Sequence, residues 1–309
     1  MAIEHVQTRT EIQQALHDAG LHPRKRFGQH FLIDGNLMRA LVRAAEIQDG
    51  DIVIEVGPGT GGLTDLLVRR RCRVILMEID RDLHAILVGR FTSCDNVTIL
   101  CGDALESKHR IAAPLAAHLT PPTADPSPNI KLVANLPYQV ATPLVLNILL
   151  GFPKVTRLCF AVQAEVGQRM VSPPGGKSYG PLAVIAQCLS DVHIVTRIPP
   201  SAFWPQPTIE SVMIRMDRKP PPESIDTCVK RFGLFVRSVF DHRRKTLRAA
   251  LRLALENMNT IGTPTDCARD AVREPLGDAI ARAGAAFDLK RRPESLEVGE
   301  WINLFQTVR

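Results

Sequence analysis

The chain has 309 residues, enough for one large α/β domain and a smaller companion. Hydrophobic residues make up 45% of it and its formal net charge is +6, which excludes wholesale disorder and points to a polyanionic partner. No secretory signal and no uninterrupted span of about 18 apolar residues occurs, so the sequence predicts a cytoplasmic protein without a membrane segment.

Residues 8–20 read as a short helix, with Thr8 and Glu11 at capping-box spacing and Gly20 as its stop. Pro23-Arg24-Lys25-Arg26-Phe27-Gly28-Gln29-His30-Phe31-Leu32 follows, three cations ahead of an aromatic and polar mixture. That composition suits phosphate contact or a solvated linker. A helical period over 36–46 leads into a strand at 51–56, then Gly57-Pro58-Gly59-Thr60-Gly61-Gly62, then an apolar helix at 63–68. Strand, glycine turn and helix form a nucleotide-binding arrangement, because glycines let the backbone approach a ligand. Gly57, Gly59 and Gly62 fit GxGxxG; Gly57, Gly59 and Gly61 fit GxGxG; the pattern alone does not choose. The next strand, 73–78, ends in Glu78, about 20 residues past the glycines, where ribose hydroxyls are met, and an acid there fits either NAD or the adenosyl group of S-adenosylmethionine. A third strand, 97–101, runs into Asp103, suited to an adenine amino group or to capping a turn.

Residues 112–129 are rich in proline and read as a surface insertion without chemistry. The apolar run 130–134 reads as a buried parallel strand closed by Asn135-Leu136-Pro137-Tyr138. Open α/β sheets bind ligands at such strand ends. Asn135 offers an acceptor for an exocyclic amine, Pro137 removes an N–H, and Tyr138 offers a flat face for a base. A strand end followed by an ordinary turn is the alternative. Helices are predicted at 142–150, around Glu165 and Arg169, and at 180–189, and strands at 158–163, 191–198 and 211–216. The proline-stiffened loop Pro199 to Pro207 places Phe203 and Trp204 either to clamp a base or to plug an apolar seam.

Lys219-Pro220-Pro221-Pro222 marks a linker, dividing the chain into 1–219, with a basic segment at 21–34, and a helical 220–309. Between Lys230 and Arg252 lie eight Lys/Arg residues and one acid, Asp241, densest at Arg243-Arg244-Lys245-Thr246-Leu247-Arg248. Phenylalanines interleave, so one helix face can bury while the other meets phosphate or water. Further helices are predicted near 275–283 and 295–307. The seven cysteines (72, 94, 101, 159, 188, 228 and 267) form no CxxC pair and read as reduced thiols, and none of the nine histidines argues for a metal.

Pro23 to Leu32, the Glu55–Gly61 loop, Asn135 to Tyr138, Pro200-Ser201-Ala202-Phe203 and Arg243 to Arg248 occur in an order that resembles the rRNA adenine N6,N6-dimethyltransferases, which modify two adjacent adenosines near the 3′ end of small-subunit rRNA. The likeness covers roughly residues 20–305. It implies a seven-stranded Rossmann-like class I methyltransferase α/β fold with a small C-terminal α-helical domain. It also implies S-adenosylmethionine as cofactor, S-adenosylhomocysteine as product, no metal, and a monomer acting on rRNA in a small-subunit particle, with a role in subunit biogenesis. Carried over by position, His30, Leu32, Gly57, Gly59, Glu78, Asp103 and Asn135 would hold the donor. Asn135, Leu136, Pro137, Tyr138 and Phe203 would hold the target base. Arg24, Lys25, Arg26, Arg243, Arg244, Lys245 and Arg248 would meet RNA. His30 stands where the family usually has Asn, and the 112–129 loop is longer than usual. Two rivals share parts of this pattern: a 23S rRNA adenine methyltransferase of the macrolide-resistance type, and an assembly factor acting mainly by binding.

Overall fold

The computed structural model describes residues 5–24, 27–120, 128–261 and 276–309. Lys25, Arg26, Cys267 and residues 121–127 of the proline-rich stretch lie outside the described residues. The chain forms two compact units. The first takes residues up to Ile148, Phe152–Gly167 and Val192–Arg218; the second takes Leu149–Gly151, Gln168–Asp191 and Lys219–Arg309. The division at 219 read from the linker thus leaves out Gln168–Asp191, which clusters with the C-terminal helices.

One seven-stranded sheet organises the fold: β1 Ile52–Val56, β2 Arg73–Glu78, β3 Val97–Cys101, β4 Ile130–Asn135, β5 Val155–Gln163, β6 Ser190–Ile198 and β7 Ser211–Arg218. Their spatial order is 3-2-1-4-5-7-6. β3, β2, β1, β4 and β5 run parallel, and β7 is antiparallel to β5. All five residues of β1 are buried. Because strand side chains alternate between faces, complete burial means that both faces of β1 are covered, which explains why it is apolar apart from Glu55. The one cation within β4, Lys131, is buried against Asp51 at 2.8 Å, as a charge at that depth requires. The order reverses at β1 and β4, whose carboxyl ends therefore open a crevice.

Helices α1 Arg9–Asp18, α2 Gly35–Ala44, α3 Thr64–Leu67, α4 Arg81–Phe91, α5 Ala113–Leu119 and α6 Tyr138–Gly151 connect or flank these strands. Thr8 and Glu11 form the expected reciprocal capping box of α1. In α2, Asp34 accepts the N–H groups of Asn36 and Leu37, and Met38, Leu41 and Val42 bury one face. The expectation of a surface insertion at 112–129 needs correction at its start. Pro114 sits in the first turn of α5, where a missing N–H costs nothing, and Leu115 and Leu119 are buried. Helix α6 begins at Tyr138, earlier than the sequence suggested, because Pro137 is its N-cap rather than part of a separating turn.

In the second unit, α8 Pro181–Leu189, α9 Val229–Phe240, α10 Leu247–Ile261, α11 Leu276–Ala286 and α12 Val298–Val308 carry an aromatic core. The Phe240 and Trp301 rings stack with centroids 5.0 Å apart, and Phe235 meets Phe305 at 5.4 Å. The buried Tyr179 hydroxyl donates to the Leu296 carbonyl at 2.9 Å, which ties the 168–191 segment to this core. α7 is Ala164–Met170. The densest part of the basic run is split: Arg243, Arg244 and Lys245 occupy the turn between α9 and α10, whereas Arg248 lies in the first turn of α10. Arg243 spends its charge on Glu294 at 3.3 Å. Arg244, Lys245 and Arg248 are exposed and make no ion pair among the described residues.

Candidate active site

The carboxyl ends of β1, β2 and β4 surround one cavity in the first unit. Strand β1 delivers Glu55 and the glycine turn to it. Gly57, Gly59 and Gly61 have φ of +71°, +63° and +89°, whereas Gly62 has no positive φ, so the motif in use is GxGxG. Each glycine is also a point of close approach. A Cβ on Gly57 would lie 2.9 Å from Pro137 Cγ, and one on Gly59 would lie 2.8 Å from the Phe31 ring. The glycine turn and the Asn135–Tyr138 strand end are therefore packed face to face.

Strand β2 supplies Glu78, only 3% exposed. Its carboxyl accepts the N–H groups of Gly59 and Asp80, each at 3.0 Å. Burial pushes Glu78 up to about 7, against the pull of those donors. Glu55, fully buried beneath the turn, is pushed up to about 8 by desolvation, while the Thr64 hydroxyl donates to it at 2.7 Å. Asp103, past β3, is exposed and both lines the cavity and caps its own turn, one oxygen accepting the Leu105 N–H at 2.9 Å. The capping role is thus present, and the cap leaves the other carboxyl oxygen outside it.

At the end of β4 the amide of Asn135 is oriented by its neighbours. Nδ2 donates to the His30 carbonyl at 2.9 Å, which leaves Oδ1 as a fixed acceptor without a partner among the described residues. Leu136 donates its N–H to Ala161 at 3.2 Å, and its carbonyl accepts no main-chain bond among the described residues. Two acceptors thus emerge side by side in sequence where Pro137 brings no N–H to compete. Tyr138 is half-buried, its hydroxyl 2.9 Å from that of Ser211, and its ring stacks on His30 with centroids 5.8 Å apart. His30 Nδ1 donates to the Pro205 carbonyl at 2.6 Å, so in the neutral ring Nε2 is the acceptor.

His30, Leu32, Gly57, Gly59, Glu78, Asp103, Asn135, Leu136, Pro137 and Tyr138 all line this one cavity. Phe203 does not present a stacking face there. It is 3% exposed in the apolar core, and its backbone pairs with Leu32, so it braces the His30–Leu32 segment. Arg24 is likewise committed, forking onto Asp80 at 2.9 and 3.0 Å and reaching Asp82 at 2.6 Å, so it anchors its segment rather than offering a free charge. Ile12, Phe31 and Ile79 line the cavity without having been singled out. Only Phe31 carried a signal, as the second aromatic of the basic stretch.

Residues 20–265 match the family model described as ribosomal RNA adenine dimethylase. The chain belongs to that family. It is 36% identical over 292 residues to the ribosomal RNA small subunit methyltransferase A of Moorella thermoacetica, covering 94% of each chain. It is 38% identical over 293 residues to the protein of the same name from Phenylobacterium zucineum, covering 93% of this chain and 96% of that one. In fold it resembles a dimethyladenosine transferase from Plasmodium falciparum, with a TM-score of 0.68 at 23% identity over 89% of this chain and 96% of that one. A 23S rRNA methyltransferase shares the fold, with a TM-score of 0.58 at 20% identity over 90% of this chain and 99% of that one. As a dimethylase-family chain it has the class I, Rossmann-like methyltransferase sheet expected of it, and the helical C-terminal part. No helix among the described residues is long and apolar enough to cross a membrane.

Proposed function

We propose that this chain transfers methyl groups from S-adenosylmethionine to N6 of two adjacent adenosines near the 3′ end of small-subunit rRNA. The observation that carries the reading is the oriented Asn135 amide beside the Leu136 carbonyl, packed against the GxGxG turn. The 23S alternative rests on a shared fold alone, whereas the relatives above 30% identity are small-subunit enzymes by name.

The residues fit the donor. Gly57 and Gly59 keep side chains out of the turn, and Glu78 has two carboxyl oxygens at the depth where ribose hydroxyls are met. Asp103 keeps one oxygen outside its own cap for an adenine amino group. His30 and Leu32 would flank the methionine end. When bound, S-adenosylmethionine supplies a methyl group on a good sulfonium leaving group.

Adenine N6 is a weak nucleophile because its lone pair is delocalised into the ring. In the first transfer Asn135 Oδ1 and the Leu136 carbonyl would accept its two N–H bonds and favour a pyramidal nitrogen with a localised pair; the methylated nitrogen would then give up one proton to water, so that in the second transfer one acceptor would hold the single N–H that remains. Tyr138 would stack on the base, which must leave its neighbours to reach the cavity. Positioning supplies much of the acceleration. Arg244, Lys245 and Arg248 would meet rRNA phosphates.

Calorimetry with S-adenosylmethionine and with NAD tests the donor half of the reading. One S-adenosylmethionine site and no NAD affinity is the expected result. NAD binding without S-adenosylmethionine binding would sink it.

A further inference from the structure

The family match begins at residue 20, yet the segment before it reaches the glycine turn by two separate routes. The first is polar. Gln7 is 5% exposed and Thr60 is 1% exposed, and the Thr60 hydroxyl donates to Gln7 Oε1 at 2.7 Å. Gln7 also packs under Gly62, where a Cβ would lie 3.5 Å from the same oxygen. The second route is apolar. Ile12 and Leu16 of α1 pack with Phe31 and Leu83, and Phe31 is the ring that presses on Gly59. Ile12 itself lines the cavity.

A buried glutamine is expensive unless its polar atoms are used, and here one is spent on Thr60, the residue between the second and third glycines of the GxGxG turn. The turn has three glycines in positive φ, so its backbone has more freedom to lose than any other part of the site. Contacts that hold it before the donor arrives reduce what binding must order. On the far side, Arg90 of α4 donates to the Thr60 carbonyl and forks onto Asp65 at 2.8 and 2.8 Å. Thr60 is thus gripped at its hydroxyl by a residue 53 positions before it and at its carbonyl by one 30 positions after it.

We propose that the N-terminal segment is a working wall of the donor site, with Gln7 as a positioning residue that presets the glycine turn through Thr60. The inference rests on the donor reading of the cavity. Its effect falls on donor affinity, because Gln7 touches the turn and none of the acceptors at Asn135 and Leu136.

The test uses the full chain, as wild type, Gln7→Ala, Thr60→Val and the double variant. The dissociation constants of S-adenosylmethionine and S-adenosylhomocysteine are measured by calorimetry, with melting curves and single-turnover transfer at saturating donor alongside. Each single variant should weaken both ligands by roughly fivefold, the equilibrium equivalent of one neutral hydrogen bond. The double variant should be no weaker than either single one, because both substitutions remove the same bond. Unchanged donor affinity in the single variants overturns the inference, even if melting falls. A loss on the transfer rate rather than on affinity overturns it as well, as does a double variant weakened by roughly 25-fold, the product of independent effects. If the wild type binds neither ligand, the donor reading itself falls, which distinguishes that failure from the others.

Discussion

Replacing Asn135 with Ala separates chemistry from binding. Two hydrogen-bonding groups are lost. Oδ1 has no partner among the described residues and is the proposed acceptor for N6, whereas Nδ2 donates to the His30 carbonyl at 2.9 Å. The first loss is felt as N6 becomes pyramidal. Removing one preorganised polar group of this kind costs about 100- to 1,000-fold in turnover. The second loss costs about 1 kcal/mol of stability, small against the roughly 5–15 kcal/mol that holds a domain folded. The variant should therefore fold, bind ribosomal particles almost normally, and methylate very slowly even at saturating donor. Some loss of donor affinity is also expected, since Asn135 lines the cavity proposed for the donor. Single-turnover transfer to undermethylated small subunits measures the effect directly. Near-normal transfer by Asn135→Ala would refute the reasoning, because it would remove the oriented amide from the reaction.

Tyr138→Ala should lose base stacking worth about 1–3 kcal/mol and raise the KM for the particle, while Tyr138→Phe keeps the ring and loses only the bond to Ser211. Equal behaviour of the two variants in steady-state kinetics would contradict this. Because Arg243 is paired with Glu294, Arg244→Ala with Lys245→Ala should weaken particle binding more than Arg243→Ala and lower the log–log salt slope by roughly 1–2. Filter binding across a salt series checks this, and donor affinity should stay unchanged. Glu78 is pushed up to about 7, and its ionised form best accepts ribose hydroxyls, so donor affinity should fall as pH drops through that value and recover above it. Glu78→Gln should flatten that calorimetric profile; a wild type already flat between pH 5.5 and 8.5 would refute the role.

The central sheet was legible because its strands are short, largely apolar runs closed by turn residues: β2 and β3 occupy the expected residues, and β1 and β4 lie within one residue of them. The turn motif was legible as a pair of alternatives only, since φ at Gly61 and Gly62 depends on what each packs against, Phe91 in the first case and Gln7 in the second. The site residues gathered as the resemblance implied where a strand end delivers them, as with Glu78 and Asn135. They did not where tertiary packing decides. An aromatic in a proline-rich loop reads the same whether it clamps a base or, like Phe203, fills the core. An arginine in a basic run reads as free until its acid, here Asp80, comes from 56 residues away. The helix at α5 was hidden because proline signals a loop by composition and a first turn by position. Gln7 and Arg90 carried no local signal, since each acts through Thr60, far from it in sequence.

The most direct test of the account is mass mapping of rRNA nucleosides after undermethylated small subunits are incubated with the full chain and labelled S-adenosylmethionine. The account predicts N6,N6-dimethyladenosine at two adjacent positions near the 3′ end of the small-subunit rRNA, and no label in large subunits treated alike. Absence of transfer to the small subunit, or label confined to large-subunit rRNA, would contradict it.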